Sequence, residues 1–284
     1  MRKRSPFFRK IINKGVIGLS WISALLGLFV LGWILYTVAV RGFSAFDFAF
    51  FTELPNPPGI EGGGLANAIL GTLLLTTLAT VIGVPIGLLA GIYLSEYGMK
   101  SKFAEQVRFY SNVLMGVPSI IIGIFVYAIL VVPFGNFSAY AGAVALAVMM
   151  IPVVTRTTED MLRMVPAAIR ESALALGTPR WKTTLEIVFK YARKGLVTGV
   201  MLAVARISGE TAPLLFTALN SPYWISGLNQ PVPNLTVTIF NYAMSPYEDW
   251  QKMAWGASLL ITVGVFTVTL FTRFSFKERT RIKK

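Results

Sequence analysis

Few side chains in this sequence can carry chemistry, and their types narrow that chemistry at once. Among 284 residues there is neither cysteine nor histidine, which removes disulfides, thiolate and imidazole metal sites and histidine acid–base catalysis. What remains is charge in apolar surroundings. Arg206 and Glu210 are the charged residues of the run Gly195–Ala218, and at a spacing of four they would share one helix face. Arg206 is eleven residues in from Gly195, about 16 Å at ~1.5 Å per residue and so near the middle of a ~30 Å hydrocarbon core. A charge at that depth costs roughly 2.5–3.5 kcal/mol on insertion scales and should face protein or water.

Two roles fit this pair. It can be an internal salt bridge that holds its helix in register. Alternatively, Arg206 can lie on an anion path, because a guanidinium stays charged and forks two hydrogen bonds to an oxyanion. Arg156 and Glu159 form a second pair at the end of another apolar run, where a solvated interfacial pair is the competing reading. No Gly-x-x-x-x-Gly-Lys-Ser/Thr phosphate cradle occurs in the sequence, so the chain is expected to be non-catalytic, with no cofactor or metal of its own and its energy drawn from a separate subunit.

The elements that must position these residues are apolar helices. With 55% hydrophobic and 14% charged residues and a mean hydropathy of +0.65, the chain has too little polar surface for a soluble globule. The composition predicts an all-α membrane protein with six spans: Gly15–Val40, Leu65–Leu94, Phe109–Val132, Ser138–Val154, Gly195–Ala218 and Ala254–Thr272. The first run is too long for the ~7–15 residue core of a signal peptide. Gly83, Gly87 and Gly91 recur at a spacing of four in the second span, a ridge that lets another helix approach closely. Pro85, Pro118 and Pro152 bend or interrupt spans two, three and four, as plain kinks or as gating hinges.

The net charge of +13 is distributed by topology and not as a nucleic-acid footprint. Arg2, Lys3, Arg4, Arg9, Lys10 and Lys14 precede span one; Lys100, Lys102 and Arg108 follow span two; eight Lys or Arg lie from Arg156 to Lys194; and Arg273, Lys277, Arg279, Arg281, Lys283 and Lys284 end the chain. The opposite loops hold only Arg41 and Lys252, against Asp47, Glu53, Glu61, Glu248 and Asp249. By the positive-inside rule both termini are cytoplasmic. The organisation expected is a basic N-terminus over 1–14, a first span and outer loop over 15–64, a five-span core over 65–272 with a cytoplasmic loop over 155–194, and a basic tail over 273–284.

That cytoplasmic loop is too long for a simple connection. Pro166 suits the first turn of a helix, Ala167 to Leu176 is helix-forming, and Gly177 supplies a left-handed stop. Thr178 is then expected to cap a second helix with Pro179 at its first position. A solvated amphipathic hairpin is the alternative to a docking module.

Glu171, Ser172, Ala173, Gly177 and Ile187 resemble the EAA motif of bacterial ABC importer permeases, with Ser172, Phe189 and Lys190 departing from it. The resemblance implies that this loop couples the chain to an ATPase. The run Arg206-Ile-Ser-Gly-Glu-Thr-Ala-Pro-Leu-Leu-Phe-Thr-Ala218 is similar to the signature of the PstA family of phosphate importer permeases. The likeness extends over Gly62–Ala68, Val117–Gly123, Arg156–Glu159 and Ala243–Pro246. It implies a type I ABC importer permease of the bacterial inner membrane, paired with a second permease (PstC) above two ATPases (PstB) and fed with phosphate by a periplasmic binding protein (PstS). In that family the charged residues matching Arg156, Glu159 and Arg206 are the implicated ones. If Arg206 lies on the path, Glu210, one turn away, is expected to orient it. Physics alone does not separate phosphate from sulfate or molybdate. A membrane signalling or scaffold protein is the reading from another class, and it leaves the coupling-type loop without a purpose.

Overall fold

A computed structural model describes residues 6–99 and 101–275. Of the basic residues that set the expected orientation, Arg2, Lys3, Arg4, Lys100, Lys277, Arg279, Arg281, Lys283 and Lys284 lie outside the described residues. The described residues are helical or in loops, with one isolated antiparallel bridge among them, between Pro55 and Gly63. The helices are α1 (Pro6–Phe43), α2 (Phe48–Thr52), α3 (Ala66–Ile92), α4 (Lys102–Gly116), α5 (Ser119–Val126), α6 (Val132–Phe134), α7 (Ala139–Arg163), α8 (Ala167–Ala175), α9 (Arg180–Lys182), α10 (Phe189–Ser208), α11 (Ala212–Leu215), α12 (Leu235–Ala243) and α13 (Glu248–Ser275). Three π-helical segments extend them without a break: Tyr93–Tyr97 continues α3, Tyr127–Val131 joins α5 to α6, and Thr183–Val188 joins α9 to α10.

The α3–α7 pair forms the centre, and its glycines explain why. A Cβ added at Gly83, Gly87 or Gly91 would lie 3.1 Å from Met150 Sδ, 2.7 Å from Val154 Cβ and 2.5 Å from Thr158 Cβ respectively. The spacing-four ridge is therefore the seam along which the two backbones approach. Paired positions rise together along both helices, so α3 and α7 are parallel, and the intervening chain must cross back between them. α10 runs the other way, since Gly195 meets Met161 and Gly199 meets Thr157. Leu75, Leu146, Met150, Val154, Ile207 and Leu214 fill the core that these helices enclose.

The crossing between α3 and α7 is interrupted at Pro118, one of the two outcomes, bend or break, that this proline predicts for the third span. α4 and α5 meet at an angle of 106°. Val117, which precedes Pro118, is extended at φ −71°, ψ 131°, because the proline ring excludes the helical conformation from its predecessor. Pro85 and Pro152 lie inside continuous helices. The fifth span is also interrupted: α10 ends at Ser208. Four helices are long and apolar enough to cross a membrane, Ile12–Phe43, Ala66–Tyr97, Ala139–Arg163 and Glu248–Thr272, and a fifth if the bent pair counts as one. The chain is thus a multi-pass membrane protein, and its rod from Phe189 to Ser208 carries Lys190, Arg193, Lys194 and Arg206.

α1 stands apart. No residue of its apolar window is buried, and it joins the bundle near Gly42, where an added Cβ would meet Leu259 Cβ at 2.6 Å and the Trp255 carbonyl at 2.7 Å. The Arg41 guanidinium lies 5.2 Å from the centre of the Trp255 ring, a cation–π contact between the end of α1 and the start of α13.

Candidate substrate path and coupling surface

The break after α10 is written into its residues. Gly209 is a poor helix former, and Pro213 lacks the N–H that a continuous helix would need. The last turn tightens, with Gly209 N–H donating to the Arg206 carbonyl at 3.3 Å and Glu210 N–H to the Ile207 carbonyl at 3.2 Å. Buried Thr236 donates its hydroxyl to the freed Glu210 carbonyl at 2.9 Å. Opposite the break, a Cβ on Gly123 of α5 would lie 2.7 Å from Pro213 Cα, so α5 seats directly on it.

Arg206 occupies the final turn of α10 and is exposed, while its neighbours Ala205 and Ile207 are buried. The antiparallel register places it level with Met150, near the midpoints of α3 and α7. The expected salt bridge to Glu210 is not formed: among the described residues, no ion pair includes either side chain. Helix α10 has ended before Glu210, so the spacing of four no longer stacks the two residues on one face. Arg206 thus presents its guanidinium outward from this chain at mid-bundle depth, with no carboxylate beside it.

Arg156 and Glu159 do come together, and not as a solvated pair. They lie on α7, which continues nine residues past the predicted end of span four at Val154. Glu159 is fully buried, with one oxygen 2.6 Å from Arg108 Nε and 2.7 Å from Arg163 Nη2. Arg156 Nη1 is 3.5 Å from the other oxygen, an electrostatic contact too poorly aligned to be a hydrogen bond, and its Nε is 3.2 Å from Asp160. Arg108 also donates to the Leu94 carbonyl at 2.7 Å. One carboxylate therefore ties α4, α7 and the end of α3. The register puts Arg156 level with Val200, six residues or roughly 9 Å along α10 from Arg206, so the two arginines are not one cluster.

α8 begins after Pro166 and ends as expected in a left-handed glycine, Gly177 at φ +81°. Thr178 N–H donates to the Ala173 carbonyl at 3.2 Å and Gly177 N–H to the Leu174 carbonyl at 2.9 Å, the paired bonds of a Schellman stop. Ala173 is buried, and Glu171 and Ser172 are exposed. The Thr178 cap is corrected: the next helix begins at Arg180, Pro179 holds the cap position with no side-chain bond, and that helix continues into α10.

Sequence reasoning missed what holds α8 in place. Arg170 forks to Glu96 at 2.8 and 3.2 Å. It also donates to the carbonyls of Leu162 and Val165, at 2.6 and 2.5 Å, where the chain leaves α7. Glu96, Arg108, Arg163 and Arg170 read in the sequence as ordinary loop charges, and nothing in their spacing pairs them.

Comparison with known proteins places this arrangement. A permease of the phosphate transport system, PstA, from Yersinia pestis is 48% identical over 98% of this chain and 94% of its own length. The PstA of Haemophilus influenzae is 48% identical over 96% of each. A family model described as a binding-protein-dependent transport system inner membrane component matches residues 83–279. The chain belongs to the PstA permease family. Its fold is that of importer permeases more widely: a chain of the inward-facing MetNI methionine ABC transporter superposes with a TM-score of 0.63, at 20% identity over 75% of this chain and 94% of that one. The described helices form a type I importer permease fold, and the segments of likeness include the α10 break and the Arg156–Glu159 turn of α7.

Proposed function

We propose that the chain is the transmembrane permease subunit of an ATP-driven phosphate importer in the bacterial inner membrane. It pairs with a second, PstC-like permease above two PstB-like ATPases, and a PstS-like binding protein delivers phosphate from the periplasm. The observation that carries the reading is Arg206, without a carboxylate partner among the described residues and exposed at a broken helix level with the midpoints of α3 and α7. An arginine there needs water, a partner chain or an anion beside it, and discontinuous helices are where transporters expose backbone and charge to substrate. A lone guanidinium gives phosphate a site weak enough to leave.

In this reading Glu210 lies at the break on the same path, and Arg156, positioned by buried Glu159, lies toward the cytoplasmic exit. Glu171, Ser172, Ala173 and Gly177 belong to the helix that docks in the ATPase. ATP and Mg2+ bind that partner, and this chain performs no catalysis. The core over 65–272 carries transport, and α1 adds lateral contacts.

The test is uptake of radiolabelled phosphate by cells in which the genomic copy is replaced by Arg206→Gln, normalised to assembled transporter, with sulfate and molybdate as competitors. The expected result is a loss of normalised phosphate uptake and no competition by either oxyanion in the unaltered protein. Normal uptake per transporter in the variant rejects the path assignment, and competition by sulfate rejects the choice of substrate.

A further inference from the structure

Where the extended α3 stops and the helix begun at Arg180 starts, the bundle holds a cleft of about 260 Å3. Its walls include residues of two π-helical segments, Tyr93–Tyr97 and Thr183–Val188, the kind of widened turn that recurs at functional sites. It lies some 23 residues before Arg206 along the Arg180–Ser208 helix, roughly 35 Å at helical rise, so it is not part of the path around Arg206.

Arg163, Arg170 and Arg180 line it. Arg170 is committed to Glu96 and to two carbonyls of the α7 end. Arg163 reaches Glu159 through Nη2, and its other guanidinium nitrogens make no hydrogen bond among the described residues. Arg180 has no carboxylate within 4 Å among the described residues. Both nearby carboxylates are already neutralised, Glu96 by Arg170 and Glu159 by Arg108 and Arg163, which leaves Arg180 without a carboxylate partner among the described residues and Arg163 with free N–H groups.

An independent observation concerns a residue of the same cleft wall. Thr183 is 4% exposed, lines the cleft, and its hydroxyl has no hydrogen-bond partner. Its neighbour Thr184 donates to the carbonyl four residues back, that of Arg180, at 3.0 Å. For Thr183 the equivalent carbonyl is that of Pro179, which already accepts from the N–H groups of Lys182 and Thr183 at 3.0 Å each. An unsatisfied buried hydroxyl costs about 1–3 kcal/mol. Water could relieve the hydroxyl and solvate the exposed guanidinium groups of Arg163 and Arg180, but it brings no charge to offset theirs.

We propose that this cleft binds a phosphate group through Arg163, Arg180 and the Thr183 hydroxyl. A tetrahedral oxyanion has acceptors enough for both arginine forks and the hydroxyl at once. Leu174 of α8, 40% exposed, borders the site, so an occupant touches α8 and the root of the α10 rod together and sets the angle at which α8 is presented. Two sources share this chemistry: the headgroup of an anionic phospholipid, which basic pockets on the cytoplasmic side of membrane proteins accept, and inorganic phosphate in the cytoplasm.

The experiment compares the complete transporter carrying unaltered chain, Arg180→Gln, Thr183→Val or both. One arm counts phosphatidylglycerol retained on the detergent-purified complex by native mass spectrometry. The other measures equilibrium binding of radiolabelled orthophosphate, without ATP, to complexes rebuilt in phosphatidylcholine nanodiscs. In one arm the double variant should lose one bound equivalent or bind roughly tenfold more weakly, as expected for one charge-assisted hydrogen bond, while Arg180→Lys recovers part of the loss. The arm that changes names the source. Unchanged binding in both arms overturns the proposal. So does loss of ATPase subunits from Arg180→Gln, which would assign the arginine to a protein contact.

Discussion

The Nε of Arg108 in α4 donates to Oε1 of Glu159 in α7 at 2.6 Å, and the same guanidinium reaches the Leu94 carbonyl at 2.7 Å. This arginine therefore joins the first helix after α3 to the helix that packs along α3. Glu159, with no exposed surface, is the negative centre of a cluster that also holds Arg156 and Arg163.

Removing that centre should damage assembly first. Glu159→Gln leaves three arginines around a neutral amide, and breaking a buried ion pair costs about 3–5 kcal/mol. We expect a marked drop in the melting temperature and abundance of the complex, measured by fluorescence-detected size exclusion on a temperature series. Arg108→Met with Glu159→Met should recover part of that loss, since the unpaired charges are removed together. A variant as stable as the parent would show that the cluster holds nothing together.

The glycine seam should be intolerant of side chains. Gly87→Val would place its Cβ 2.7 Å from Val154 Cβ before its methyl groups are counted, and overpacking of this kind costs about 1–3 kcal/mol. Gly116→Val, whose Cβ would meet nothing within 4 Å, is the control for a glycine change with room for a side chain. Equal thermal stability of the two variants would contradict the packing shown here.

At Gly177 the constraint is conformational. With φ at +81° and open space around its Cβ position, Gly177→Val strains the backbone without a clash. The Schellman bonds from Gly177 and Thr178 should weaken. The expected outcome is normal membrane insertion with reduced ATPase subunit content in the purified complex and reduced uptake. Unchanged values for both would remove α8 from the docking surface.

Arg206 and Glu210 should act independently. Arg206→Lys keeps the charge and loses the planar fork, so uptake per assembled transporter should fall, and Arg206→Gln should be at least as damaging. Because no ion pair links the two side chains, the losses in Arg206→Gln and Glu210→Gln should multiply in the double variant, as they do for uncoupled sites. A double variant no worse than Arg206→Gln alone would mean that the two are coupled in the assembled transporter.

Orientation can be read by labelling, because the chain has no cysteine of its own. Single cysteines at Ser44 and Ser226, both exposed, should react with an impermeant thiol reagent in intact cells, and one at Ser101 should not. External labelling at Ser101 would reverse the expected topology.

What the sequence determined by itself is local or statistical. Long uncharged runs have no stable place but a bilayer, which marked α1, α3, α7 and α13. The Gly83–Gly87–Gly91 ridge announced a close helix contact because only glycine permits one, and the left-handed stop at Gly177 followed from the same absence of a Cβ. Arg206 stood out because a charge inside an apolar run is expensive wherever it points. What the tertiary structure decided is direction and partnership. Hydropathy averages over a window and does not register where backbone hydrogen bonds stop, so Pro118 announced a bend or break in the third span without its 106° size, and the end of α10 at Ser208 read as a continuous span. The second of these withdrew Glu210 from Arg206, since a spacing of four means adjacency only while the helix lasts. Glu159 found Arg108, 51 residues earlier in the chain, and Arg170 found Glu96, 74 residues earlier. No residue's own type or near neighbours encode such a pairing, because it exists only once parallel α3 and α7 bring their C-terminal ends to the same level.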